Sequence, residues 1–163
     1  MRGNAKAIMG AVLFAALMLS GCGKHGDNVG AFHNDLLGNE IKVEAFNDPA
    51  IPGVVCHVAY FDRGVLDRLQ QGNWFENPSN SSVSCTRTGA ISVVGVSSTR
   101  AGQEVFNQHQ SLFFKNVAVR RIVDLDHNSL VYVSHSRELV EASAKIDMST
   151  ITLTPQEVAA ARR

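Results

Sequence analysis

The side chains that could do chemistry are three cysteines and six histidines, and their spacing assigns them different tasks. Cys22 follows Leu19-Ser20-Gly21. Small residues directly before a cysteine, at the end of an apolar run, form a bacterial lipobox, in which the sulfur takes up a lipid. A thiol so modified cannot join a disulfide, which leaves Cys56 and Cys85 as one intramolecular pair. In an oxidising periplasm that pair is expected to be bridged. The ring holds the 28 residues between them, and the chain-entropy model assigns it roughly 3–4 kcal/mol, mostly by restricting the unfolded chain. No C-x-x-C occurs and neither cysteine has an adjacent array of ligands, so a catalytic thiol or a metal ligand is the weaker reading.

Asp124, Asp126 and Asn128 have the alternate spacing that opens a calcium loop. The sixth position is Ser129 instead of glycine and the twelfth is His135 instead of the bidentate glutamate, so the segment reads as a solvated hairpin turn. A hydrolase or metal-dependent enzyme would draw on His57, His109, His127 or His135 with Asp124 or Asp126. Apart from Asp124 with Asp126, no pair of these has the spacing of a recognised metal motif. His57 falls on the strand face opposite Cys56 and reads as a packed or hydrogen-bonded residue. Ser81, Ser82, Ser84 and Ser97 lack the G-x-S-x-G elbow of a serine hydrolase. No catalytic residue, cofactor ligand or metal ligand is therefore assigned.

One aromatic pair stands out. Trp74, the only tryptophan, and Phe75 lie in a polar loop over residues 73–82. Such a pair either packs its loop down, the commoner outcome, or forms a recognition surface for an envelope protein partner.

The elements that position these residues begin with an export signal over residues 1–21. Arg2 and Lys6 precede an apolar run of 13 residues, 7–19, shorter than the roughly 20 helical residues that span a bilayer. Its removal leaves 142 residues with 13 basic and 15 acidic side chains, the size of one domain. Residues 22–37 read as the lipidated N-terminus and tether, and residues 38–163 as the domain. Gly23, where an aspartate would retain the protein at the inner membrane of many Gram-negative bacteria, points to the inner leaflet of the outer membrane, facing the periplasm. The lipid on Cys22 makes the membrane a partner. Nucleic acid is not one, because the longest basic runs are Arg120-Arg121 and Arg162-Arg163.

Within the domain, residues 40–46 alternate as a half-buried strand that ends at the turn Asn47-Asp48-Pro49. Residues 54–61 are apolar on both faces, which predicts a central strand covered on both sides. Val65, Leu66 and Leu69 predict a short helix over 63–71, stopped by Gly72. Strand signals follow over 83–87, in the β-branched run 90–96, and over 111–115, 117–123 and 130–135, the last two forming a hairpin with an Asp/Asn turn. Residues 146–153 alternate again. Thr154, Pro155 and Glu157 then predict a capped terminal helix. The fold class is mainly β: one antiparallel domain of seven or eight strands, closed as a sandwich or barrel, with one or two short helices. An α+β roll is the alternative.

From about residue 38 to 155 the chain resembles the CreA family of small exported bacterial proteins. The carriers are Val43-Glu44-Ala45-Phe46-Asn47-Asp48-Pro49, Gly53-Val54-Val55-Cys56, Val83-Ser84-Cys85, Ser111-Leu112-Phe113-Phe114-Lys115, and Asp124 and Asn128 before Leu130-Val131-Tyr132. Two segments depart from the family pattern: residues 62–82, glycine-rich in other members, and Ala142-Ser143-Ala144, where a Gly-Ser-Pro turn is usual. The resemblance implies an exported, disulfide-bearing domain and supplies no catalytic residues. The functional expectation is an envelope lipoprotein with a non-enzymatic binding or structural role, set against a periplasmic hydrolase or metal-dependent enzyme.

Overall fold

A computed structural model describes residues 26–36, 39–64, 69, 81–107, 109–137 and 145–163. The lipobox with Cys22, the pair Trp74 and Phe75, most of the helix expected over 63–71, and Ala142-Ser143-Ala144 lie outside the described residues.

Two four-stranded antiparallel sheets account for the architecture, each a meander in which sequence neighbours are spatial neighbours. The first contains β1 (Asp27–His33), β2 (Glu40–Asn47), β3 (Val54–Asp62) and β4 (Ser81–Arg87). The second contains β5 (Gln103–Glu104), β6 (Val117–Asp124), β7 (Ser129–Ser136) and β8 (Ile146–Thr152). One helix, α1 (Pro155–Ala161), follows β8. The mainly β fold is the expected class, and the α+β roll is set aside.

Alternation assigns the faces. On β3, Val54, Cys56 and Val58 are at most 1% exposed, while Val55, His57, Ala59 and Phe61 are half-buried. The strand is central as expected, between β2 and β4, but its covering is complete on one face only. Opposite Cys56 stands Phe46, so the inner face of β2 carries Phe46, Glu44 and Lys42, and its alternating Ile41, Val43 and Ala45 share the outer face with His57. β1 occupies residues read as tether. Its pairing with β2, from Asp27 opposite Ala45 to His33 opposite Glu40, extends the sheet into that stretch.

Between β2 and β3 the chain reverses through Pro49 and Gly53. Gly53 has φ of 86°, and a Cβ there would lie 2.5 Å from the carbonyl oxygen of Ala90. Only glycine suits that combination of backbone and close approach.

The inner faces share one core, in which Phe46 lies 5.4 Å from Phe106 and 4.9 Å from Phe114, ring centre to ring centre. Two stretches expected as extended are not strands. Leu112–Lys115 is a 3-10 turn, capped by the Ser111 hydroxyl, which accepts from the Phe113 N–H. The tight turn lets consecutive Phe113 and Phe114 both reach the core, whereas a strand would send them to opposite faces. Residues 90–96 form an irregular connection in which Ile91 and Val93 plug the core and Gly95 takes φ of 73°.

Along one side β8 lies against β4, joined by side chains where no backbone ladder runs. The Val83 N–H donates to Asp147 Oδ2 (2.6 Å) and the Cys85 N–H to Ser149 Oγ (2.9 Å). Ser149 donates in turn to the Cys85 carbonyl. At the end of this seam Arg87 donates to both oxygens of Glu157 and to the Thr152 carbonyl. That clamp fixes α1, whose capping box joins Thr154 and Glu157 as expected.

Candidate functional site

The disulfide follows from strand register. Cys56 and Cys85 face each other directly across β3 and β4, and the Cys85 N–H and carbonyl turn away toward Ser149. They therefore occupy a non-hydrogen-bonded pair, where opposed side chains approach most closely. The sulfurs are bonded and both residues are buried, at 0% and 5% exposure. The bridge thus lies in the core under the inner face.

The most concentrated polar chemistry lies deeper in the same interior. The Asp48 side chain is 0% exposed and that of Arg121 is 3% exposed. Arg121 Nη1 donates to Asp48 Oδ1 at 2.5 Å and Oδ2 at 2.6 Å, and the Tyr132 hydroxyl donates to Oδ2 at 2.7 Å. The Ala50 and Ile51 N–H groups add donors to Oδ1, and Arg121 Nη2 reaches Gln103 Oε1. Burial first, and the adjacent Asp48 carboxylate second, push the Tyr132 phenol far above its ordinary range. A carboxylate surrounded by five donated bonds holds structure with both oxygens and has none left for a substrate.

A second polar group lies at the other end of β2 and β3. Ser111 donates to Glu44 Oε2 at 3.0 Å, and Tyr60 stacks on Phe113 with 4.8 Å between ring centres. Burial, with the nearby Glu44 charge, pushes the Tyr60 phenol up to about 12. Lys42 pairs with Asp62 beside it, and that hydrogen bond raises the lysine.

The residues weighed for catalysis are dispersed. His57 stands on the outer face opposite Ala45 and Ser84. His135 is half-buried with Nδ1 near the Ser136 carbonyl, and His109 is exposed in a turn. His127 meets a carboxylate of its own turn, Asp124, at 2.7 Å. That contact lowers the Asp124 carboxyl, and the other Asp124 oxygen accepts from the N–H groups of Asp126 and His127. Asn128 closes the turn at φ of 51°. Among the described residues no three His, Cys, Asp or Glu side chains gather as metal ligands would.

The buried cluster was absent from the sequence expectations, yet a signal for part of it exists. Val117, Val119, Arg121 and Val123 fall on one face by period two, and the valines are buried. An arginine in that row must meet an acid.

Fold and site together define a disulfide-stapled β domain whose two sheets are tied through a buried ion pair. The model of the family described as CreA protein matches residues 29–156. Protein CreA of Escherichia coli strain K12 is 30% identical over 151 residues, covering 88% of this chain and 94% of that protein. Protein CreA of Escherichia coli O157:H7 matches with the same identity and coverage. The chain belongs to the CreA family. No solved structure matches it.

Proposed function

We propose that this protein is an envelope lipoprotein, held in the membrane through Cys22, whose disulfide-bridged β domain serves a binding or structural role and not a catalytic one. The observation that carries the non-catalytic reading is the commitment of Asp48, Arg121 and Tyr132 to one another in a buried interior. The anchor reading is supported by the lipobox and by the bonding of Cys56 to Cys85, which leaves Cys22 for a different fate. Gly23 after it favours the outer membrane, facing the periplasm. The partner contact is assigned to Trp74 and Phe75, between two cysteines whose cross-link reduces the entropy lost on docking.

Fractionation and intact mass of Cys22→Ala test the anchor. The variant should be an unprocessed or soluble species; membrane residence at the mature mass would refute lipidation. Metal analysis of purified protein tests the rest, because stoichiometric tightly bound zinc or iron would overturn the non-catalytic reading. Trp74→Ala should lose cross-linked partners at unchanged melting temperature, and a lower melting temperature with partners retained would move Trp74 into the core.

A further inference from the structure

The strand nearest the lipobox is also an apolar open edge. Among the described residues β1 pairs only with β2, and its first residue, Asp27, follows Cys22 by five positions. Five backbone steps reach at most about 18 Å. A register shift between Asn28 and Gly30 leaves Val29 out of the ladder and 56% exposed. Phe32 is 57% exposed, and Leu36, in the following turn, is fully exposed. Phe32 stands opposite Ile41, which stands opposite Phe61, so the apolar row continues across the outer face of the sheet. An open edge of this kind invites wrong pairing unless something covers it.

We propose that β1 rests on the membrane that holds the Cys22 lipid, with Val29, Phe32 and Leu36 seated at the boundary between headgroups and acyl chains. This rests on the lipoprotein reading above. The short reach selects the bilayer as occupant, because a lipid at Cys22 keeps β1 closer to that surface than any other strand. The stretch from Cys22 to Glu40 carries Asp27, Asp35 and Glu40 against Lys24 alone, with His25 and His33 neutral at pH 7, so basic attraction to anionic headgroups is not the driving force. Apolar burial is, and the contact is expected to persist at high salt.

The test uses full-length protein purified from membranes and reconstituted into phosphatidylethanolamine/phosphatidylglycerol vesicles with brominated acyl chains. In a Trp74→Phe background, which removes the native tryptophan, Phe32→Trp is compared with Met148→Trp. Met148 is 63% exposed on β8, which flanks β4 on the side away from β1. Fluorescence at position 32 should be quenched at least about twofold more than at position 148, in low and high salt. In unsubstituted protein, a photoactivatable probe carried in the bilayer should label residues 27–36. Unquenched position 32 and an unlabelled 27–36 peptide, in protein whose mass carries the Cys22 lipid, overturn the docking and leave the anchor intact. Blue-shifted but unquenched emission from the Phe32→Trp variant, accompanied by a dimer mass, means that a second copy covers the edge, which also overturns the proposal. Absence of the lipid from the mass removes the anchor and the docking with it.

Discussion

Arg121 Nη1 lies 2.5 Å from Asp48 Oδ1, joining β6 of one sheet to the β2–β3 turn of the other across 73 residues of sequence. Both side chains are buried, and Tyr132 closes the group from β7. Loss of one partner strands the other charge in a medium that solvates it poorly. Asp48→Ala should therefore cost about 3–5 kcal/mol. Tyr132→Phe, which removes one bond to a charged acceptor, should cost roughly 1.5–3 kcal/mol. Urea unfolding at neutral pH measures both, and an Asp48→Ala midpoint equal to wild type would show the pair to be energetically idle.

The disulfide should be found whole by non-reducing peptide mapping, with residues 56 and 85 in one linked fragment. Replacing both cysteines by alanine should lower unfolding free energy by roughly 3–4 kcal/mol, from the entropy regained by the unfolded ring. Free alkylatable thiols at both positions in protein kept from reductants would contradict the bridge.

Acid should release α1 first. Hydrogen bonding from Arg87 holds Glu157 at about 2 against an ordinary 4.5. A carboxylate depressed by folding contributes stability that is present above its unfolded value and is lost as pH falls toward its folded one. The loss should run from about pH 4.5 down to about 2, and solvent screening limits it to about 1–2 kcal/mol. Comparing Glu157→Gln with wild type by thermal unfolding from about pH 7 to about pH 2 checks this: the two curves should converge at the acid end. A constant gap across the range would rule out the linkage.

Ser149→Ala should loosen the seam between β4 and β8, because the Cys85 N–H and carbonyl both lose their partner. The cost should be about 1–3 kcal/mol. Hydrogen exchange at the Cys85 amide should accelerate while amides in the β6–β7 ladder keep their protection. Equal acceleration everywhere would mean that the seam is no local unit.

Much of this fold was legible. Alternation placed β2 and β8, apolar and β-branched runs placed β3, β4, β6 and β7, and the Asp/Asn turn and the Thr154 capping box were found from residue types alone. Cysteine arithmetic located the bridge because one pair remained to be made. What escaped depends on contacts distant in sequence. β1 interleaves Val29, Ala31 and Phe32 with polar residues and Gly30 without regular alternation, and it becomes a strand by pairing with β2. Residues 111–115 have strand composition, but packing of two adjacent phenylalanines against Phe46 and Tyr60 selects a 3-10 turn. Asp48 read only as a turn former, because nothing local tells that Arg121 will stand over it. The inward placement of Arg121 was itself legible in the spacing of Val117, Val119 and Val123.

Each sheet is made from one uninterrupted half of the chain, the first complete by Arg87 and the second starting at Gln103. A chain that crosses the membrane N-terminus first delivers the N-terminal half first, so the strands that bear both cysteines can pair before Arg121, which will neutralise Asp48, has followed. Until then the donors that Asp48 has in the folded structure are limited to those of its own turn, the Ala50 and Ile51 N–H groups. Arrival of Arg121 and Tyr132 then converts that carboxylate into the junction of two halves, making the last-synthesised sheet the one that seals the interior.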